Sequence, residues 1–279
     1  MSAPLDLPKW ADTVLVPAIS VVAAFLVAGL VVLSIGENPL TATRHLLQGS
    51  LGTGEGLGFT LFYMTDFIFV GLAVAVAYHA GLFNIGGEGQ ATLAGLGIAL
   101  VLNNLTFLPG FLLIPLGILG AAAFGAAWAA VPGYLQAKRG SHIVITTIMF
   151  NWLASVLIVY LLVNVLREPQ SMNPETRAFP EQAYIPFMHD IFAAFGVEIP
   201  ASQLNLTLVL ALAASYFIWL LIYRSRLGYA IRVVGSNPTA AVYAGISPAR
   251  IIILFAGALD GLFRRAVAHL FARQKLARA

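Results

Sequence analysis

The chain has 279 residues, of which 59% are hydrophobic and 10% charged, and its mean hydropathy is +0.88. A soluble globule of this size needs a charged surface, so the composition excludes one and points to a polytopic α-helical membrane protein. The net charge of +3 is small and the basic residues sit in a few loops, which argues against a nucleic-acid partner, while the absence of cysteine removes disulfides and thiolate chemistry.

The spanning structure must be helical, because the short alternating segments of a β-barrel are missing. The first apolar run, residues 13–35, is longer than a signal-peptide core and has no clear small-residue cleavage site, so it reads as a retained first span. Further candidate spans are residues 59–77, 91–107, 111–131, 143–165, 204–223 and 251–262. The stretch 91–107 is marginal in length and 251–262 is too short to cross a bilayer. Glycine and alanine crowd residues 117–130, and small residues let helix backbones approach in lipid, so this span belongs at the centre of the bundle.

The first motif is Tyr78-His79-Ala80-Gly81-Leu82-Phe83-Asn84-Ile85-Gly86-Gly87-Glu88-Gly89-Gln90, between two apolar runs. Its glycines loosen a helix and permit close backbone approach. A carboxylate at membrane depth costs roughly 2.5–3.5 kcal/mol unless it faces water, a partner or a substrate. The stretch is therefore either a broken segment lining a polar path or an ordinary solvated connector. Asp66 is a second acid inside an apolar run, and an intramembrane acid is a functional candidate by default; the alternative is a pairing with a polar neighbour such as Asn151 or a freed backbone N–H.

The second motif runs from Gly140 to Asn151 and carries Thr146, Thr147 and Asn151 in an apolar run. Thr147 and Asn151 are four apart and share a helix face, where an amide bonds either another helix or a passing ligand. A third motif runs from Leu227 to Ile246. Here Asn237 suits an N-cap, Pro238 the first helical position and Gly245 the stop, which predicts a two-turn helix over 238–244. Such a helix either docks into another protein or lies at the membrane interface.

Basic residues set the orientation. The loop around Lys138 and Arg139, and the loop holding Arg224, Arg226, Arg232 and Arg250 without an acid, are expected inside. The acid-rich residues 167–205 are expected outside, with a short interfacial helix over 185–195. The N-terminus is then cytoplasmic and residues 78–90 enter from the cytoplasmic half. The chain has no Gly-x-x-x-x-Gly-Lys-Ser/Thr run to cradle ATP phosphates, and its five histidines are scattered without ligand spacing, so neither an ATPase nor a metalloenzyme is expected. An ion-driven carrier titrating Asp66 and Glu88 is the less favoured transport reading.

Together GLFNIGGEGQ, SHIVITTIMFN and LGYAIRVVGSNPTAAVYAGI resemble the permease subunits of bacterial ABC importers of the branched-chain amino acid/simple sugar class, nearest to the general nucleoside transport permeases, over about residues 14–258. The resemblance implies an all-α, type II ABC importer-like bundle with about six to eight spans. It implies a permease domain over 1–262, with a coupling helix at about 236–246, followed by a basic tail over 263–279. It implies a non-enzymatic subunit without cofactor or metal, in the bacterial inner membrane, moving nucleosides inward. Simple, ribose-like sugars are the rival substrate. The implied partners are cytoplasmic ATP-binding subunits, a second permease subunit, a periplasmic or lipid-anchored substrate-binding protein and the bilayer. Asn84, Glu88, Gln90, Asp66, Thr147 and Asn151 would lie near the translocation path. Asn237, Pro238, Thr239, Ala240, Ala241 and Gly245 would form the coupling helix, where the family's usual Glu-Ala-Ala reads Thr239-Ala240-Ala241. The departure is at the C-terminus, where family members continue through further spans. Here the apolar run gives way to Arg264 and Arg265 and a basic tail. Truncation, with transport impaired, is the expectation; a basic tail lying on the anionic inner leaflet is the alternative.

Overall fold

A computed structural model describes residue 8, residues 10–168 and residues 173–253. The stretch 251–262 after its first three residues, and the basic tail 263–279, lie outside the described residues. Among those described there are ten α-helices and, apart from one isolated bridge between Phe187 and Asn205, no β-pairing. The helices are α1 (Val16–Ser34), α2 (Pro39–Leu51), α3 (Gly54–His79), α4 (Gly87–Asn104), α5 (Gly110–Arg139), α6 (Ile143–Asn164), α7 (Met188–Ala194), α8 (Thr207–Arg224), α9 (Arg226–Ser236) and α10 (Pro238–Tyr243).

The chain divides into two compact units, residues 1–60 with 200–202, and the remainder. In the first unit α1 continues a π-helical turn, Ala11–Leu15, and none of its residues is buried. Thr13–Ser34 is long and apolar enough to cross a membrane. The helix α2 has no counterpart in the sequence-based expectations. Asn38 caps it, its Oδ1 accepting from the Leu40 N–H at 2.9 Å, and Pro39 takes the first helical position.

The second unit is organised on α4 and α5. Gly117, Ala121, Gly125 and Ala129 repeat every four residues on α5 and are all buried. A Cβ on Gly97 of α4 would stand 2.5 Å from the Gly120 carbonyl oxygen, so the two helices cross backbone to backbone. Ala94, Ile98 and Leu102 of α4 pack there with Leu113 and Ala121. On the far side of α4, Leu93 and Leu96 meet Ala154 of α6. The Trp128 indole N–H reaches the Phe150 carbonyl at 3.3 Å. The close helix approach that the small residues of 117–130 permit is thus observed, against α4.

A second core gathers the end of α3 (Phe69, Val76, Ala77), Ala80 and Leu82, Ala211, Ile218 and Ile222 of α8, Ile231 and Val234 of α9, Ala241 of α10 and Ile251. The expected helix over 185–195 forms as α7, and Gln182 ties the segment before it to the α4–α5 turn through its Nε2, 2.7 Å from the Thr106 carbonyl.

Five helical stretches among the described residues are long and apolar enough to cross a membrane: Thr13–Ser34, Gly54–His79, Gly110–Arg139, Ile143–Asn164 and Thr207–Arg224. The marginal stretch 91–107 folds as α4, which begins four residues earlier, so Glu88 and Gln90 occupy its first turn.

Candidate functional site

The helix α3 stops at His79, and Gly81 turns the chain with φ +73°. Residues 80–86 then lead to α4. Asn84 shapes this loop by folding back on it, its Oδ1 accepting from the Gly86 N–H at 2.8 Å. The helix α6 holds the loop from outside. The Asn151 Nδ2 donates to the Ile85 carbonyl at 3.0 Å, and its Oδ1 accepts from the Gly89 N–H at 2.9 Å. One turn earlier, Thr147 Oγ1 accepts from the Ile85 N–H at 3.3 Å and donates to the Ile143 carbonyl at 2.8 Å. A single α6 face therefore satisfies the backbone of a segment that forms neither helix nor sheet. Non-helical backbone at membrane depth requires such partners.

The clamp also fixes the depth of the loop. Asn151 lies eight residues into α6, about 12 Å along its axis from Ile143. His79, by contrast, sits beside the end of α8, its Nε2 3.2 Å from the Tyr223 hydroxyl. The chain thus runs from the end of one span back into the bundle, and α4 starts inside it. Residues 80–86 form a break between α3 and α4 that is bonded to α6.

Five of the six expected path residues sit together: Asn84, Gln90, Thr147 and Asn151 around Gly86 and Gly89, with Glu88 beside them on the first turn of α4. Asn84, Gln90 and Thr147 are buried, at 7%, 1% and 0% exposure. Asn84 Oδ1, Thr147 Oγ1 and both amide ends of Asn151 are engaged on backbone, so these groups hold the segment in place. Gln90 Oε1 is buried without a hydrogen-bond partner among the described residues. Glu88 alone of the cluster is exposed. Asp66 lies on α3, half-buried, its Oδ1 enclosed and without a partner among the described residues; the Asn151 pairing considered for it does not form, the Asn151 amide being turned to Ile85 and Gly89 instead.

The third motif folds as two helices. Ser225 caps α9, its Oγ accepting from the Gly228 N–H at 2.9 Å. Asn237 caps α10, accepting from the Thr239 and Ala240 N–H groups at 2.9 and 3.1 Å, and Pro238 takes the first position. Gly245, at φ +74°, ends it. Ala241 is fully buried, whereas Val242 and Tyr243 are 61% and 89% exposed. The predicted two-turn helix is present, with one face anchored and the other bare.

The loop and this helix pair touch directly. A Cβ on Gly235 would lie 2.2 Å from the His79 carbonyl oxygen and 3.0 Å from the Gly81 nitrogen; one on Gly81 would lie 3.2 Å from the Gly235 Cα. The last turn of α9 therefore rests on the first residues of the loop with no side chain between them. Sequence reasoning missed this joint. Its signal was a glycine two residues before an N-capped helix, together with Leu227, Ile231 and Val234 at helical spacing over a stretch that is α9.

The profile of the family described as branched-chain amino acid transport system / permease component matches residues 56–263. The guanosine ABC transporter permease protein NupP of Bacillus subtilis (strain 168) is 35% identical over 253 residues, covering 89% of this chain and 70% of that protein. The nucleoside ABC transporter permease protein NupB of Lactococcus lactis subsp. cremoris is 34% identical over 89% of this chain and 69% of its own length. The glucose ABC transporter permease protein TsgB13 of Haloferax volcanii is 33% identical over 88% of this chain and 64% of its own length. No solved structure matches the chain. A profile covering most of the sequence, relatives that are transport components rather than enzymes, and several membrane-length apolar helices agree: the chain is a multi-pass membrane protein belonging to the branched-chain amino acid transport system / permease component family.

Proposed function

We propose that this chain is the permease subunit of an ATP-driven importer that carries nucleosides across a bacterial inner membrane, with its N-terminus in the cytoplasm. The observation that carries the reading is the clamped loop: polar residues and bare backbone are held within an apolar bundle and rest on Gly235 of α9, which leads directly into a short capped helix with an exposed face. Cytoplasmic ATP-binding subunits would dock on α10, a second permease subunit would complete the path, and a substrate-binding protein would deliver cargo outside. Movement of α10 would pass through Gly235 to His79–Gly81 and so to the loop. The path-facing role falls to Glu88, with Asn84, Gln90, Thr147 and Asn151 as its scaffold and Asp66 further along the same route. A nucleoside offers ribose hydroxyls to an acceptor such as Glu88 and base edges to amides.

Nucleosides are favoured because two relatives named for guanosine or nucleoside transport align over most of this chain. The glucose permease relative supports a sugar as the second reading. Uptake by the assembled transporter, with its partner permease, ATP-binding subunits and binding protein in vesicles, separates them. ATP-dependent accumulation of guanosine or adenosine, unaffected by excess glucose and by collapse of the proton gradient, is the expected result. Accumulation of glucose alone, or uptake that stops when the proton gradient collapses while ATP is maintained, overturns it.

A further inference from the structure

The helix proposed to meet the ATP-binding subunit carries no charge, its residues being Pro-Thr-Ala-Ala-Val-Tyr. The charge lies beside it. A recess of about 630 Å³ opens where the end of α8 meets α9 and the chain leaving α10, and its lining includes Tyr223, Arg224, Arg226, Tyr229 and Arg232, with Ile246 after α10. No acid lines it, and none occurs between residues 224 and 250. The three guanidiniums make no ion pair among the described residues. Two of them are held in position. Arg224 lies over the Trp219 ring at 5.6 Å, and Arg232 lies over the Tyr223 ring at 5.5 Å with its Nε 3.4 Å from the Gly228 carbonyl. Stacking on aromatic rings orients a guanidinium while leaving its outer N–H groups free for a planar acceptor.

We propose that this recess receives a carboxylate side chain of the ATP-binding subunit, so that the charged contact between permease and motor is made by arginines of the permease. The inference rests on the reading of α10 as the docking helix. The recess adjoins the chain that leaves that helix, since Ala244 and Ile246 line it, and its unrelieved positive charge is complementary to a carboxylate. A guanidinium and a carboxylate meet through two parallel hydrogen bonds, which fixes orientation as well as contact. An apolar docking face flanked by such a pair sets register as well as proximity.

The test uses the assembled transporter. The variants R224E and R226E are expected to lower the amount of ATP-binding subunit retained on purification about tenfold, with membrane abundance of the permease unchanged, whereas R226K retains it. In R226K the new amine can be coupled by a carbodiimide to a carboxylate in direct contact. The expected product is an adduct whose cross-linked peptide contains an Asp or Glu of the ATP-binding subunit. Normal retention in both reversals together with no such adduct overturns the proposal. So does a result in which the reversals abolish only the preference for anionic over zwitterionic lipid, which would assign the recess to a headgroup phosphate. Tyr243→Asp is the control for the underlying reading: if it releases the ATP-binding subunit while the arginine reversals do not, the docking helix stands and the recess falls. If it does not release the subunit, the docking reading itself fails.

Discussion

The two polar regions of the second unit are built on opposite plans. Around Gly86 and Gly89 the polar side chains of Asn84, Thr147 and Asn151 turn inward and bind backbone, and they are buried or half-buried. Around α10 the polar side chains turn outward: Arg224 and Arg226 are exposed, and Tyr229 and Tyr243 are 57% and 89% exposed. The first region must keep an irregular segment in one shape inside hydrocarbon, where each unpaired group is costly. The second leaves guanidinium groups and the apolar surface of Val242 and Tyr243 exposed. The two are joined where Gly235 lies on His79 and Gly81, backbone to backbone, and where Ala80 and Leu82 pack with Ile231, Val234 and Ala241. On the proposed reading, the loop keeps its shape and the helix pair is the recognition surface.

Gly235→Val should break the comparison most severely. Its side chain would meet the His79 carbonyl oxygen, so α9 must separate from the loop, at an overpacking cost of about 1–3 kcal/mol. Uptake should fall to background while the ATP-binding subunit still co-purifies, because Val242 and Tyr243 remain presented. Loss of both would show that the joint serves docking rather than transmission.

Asn151→Ala comes next. It leaves the Ile85 carbonyl and the Gly89 N–H unpaired, at about 1–3 kcal/mol for an unsatisfied buried group and less if water enters. The detergent-solubilised protein should melt several degrees lower, and uptake should drop with it. Asn151→Asp keeps the acceptor for Gly89 and should lose less. Glu88→Gln should lower uptake about tenfold, equivalent to about 1.4 kcal/mol, without changing membrane abundance or melting temperature. Unchanged uptake would reduce the exposed carboxylate to a surface feature. Asn237→Ala removes two capping bonds from α10 and should weaken retention of the ATP-binding subunit modestly, by about 1 kcal/mol, with loop stability unaffected.

Much of this contrast was legible in the sequence. Asn237, Pro238 and Gly245 fixed α10 almost to the residue, because capping chemistry is local. The small-residue stripe of α5 announced a close helix crossing, because in lipid only small side chains allow backbones to approach. That Thr147 and Asn151 share a face followed from helical periodicity. Their common target did not, because Ile85 and Gly89 lie more than sixty residues away in sequence. The partner of Gly235 was unreadable for the same reason: glycine records only that space is short, never what fills it. The helix α9 was hidden by its arginines, which read as loop charge, although Ser225 and the Leu227–Ile231–Val234 spacing were available. The helix α2 was missed because Thr43, Arg44, His45 and Gln48 interrupt its apolar positions.

The central claim is that Glu88 stands on a wet route that the loop opens and closes. The chain contains no cysteine, so Glu88→Cys provides a single addressable thiol in this subunit. Its labelling by a hydrophilic, membrane-impermeant maleimide should be measured in the assembled transporter, with and without nucleoside and ATP. The account predicts labelling from the aqueous phase that nucleoside suppresses and that ATP turnover alters. A thiol that reacts only with a lipid-soluble maleimide, indifferent to nucleoside and ATP, would contradict it.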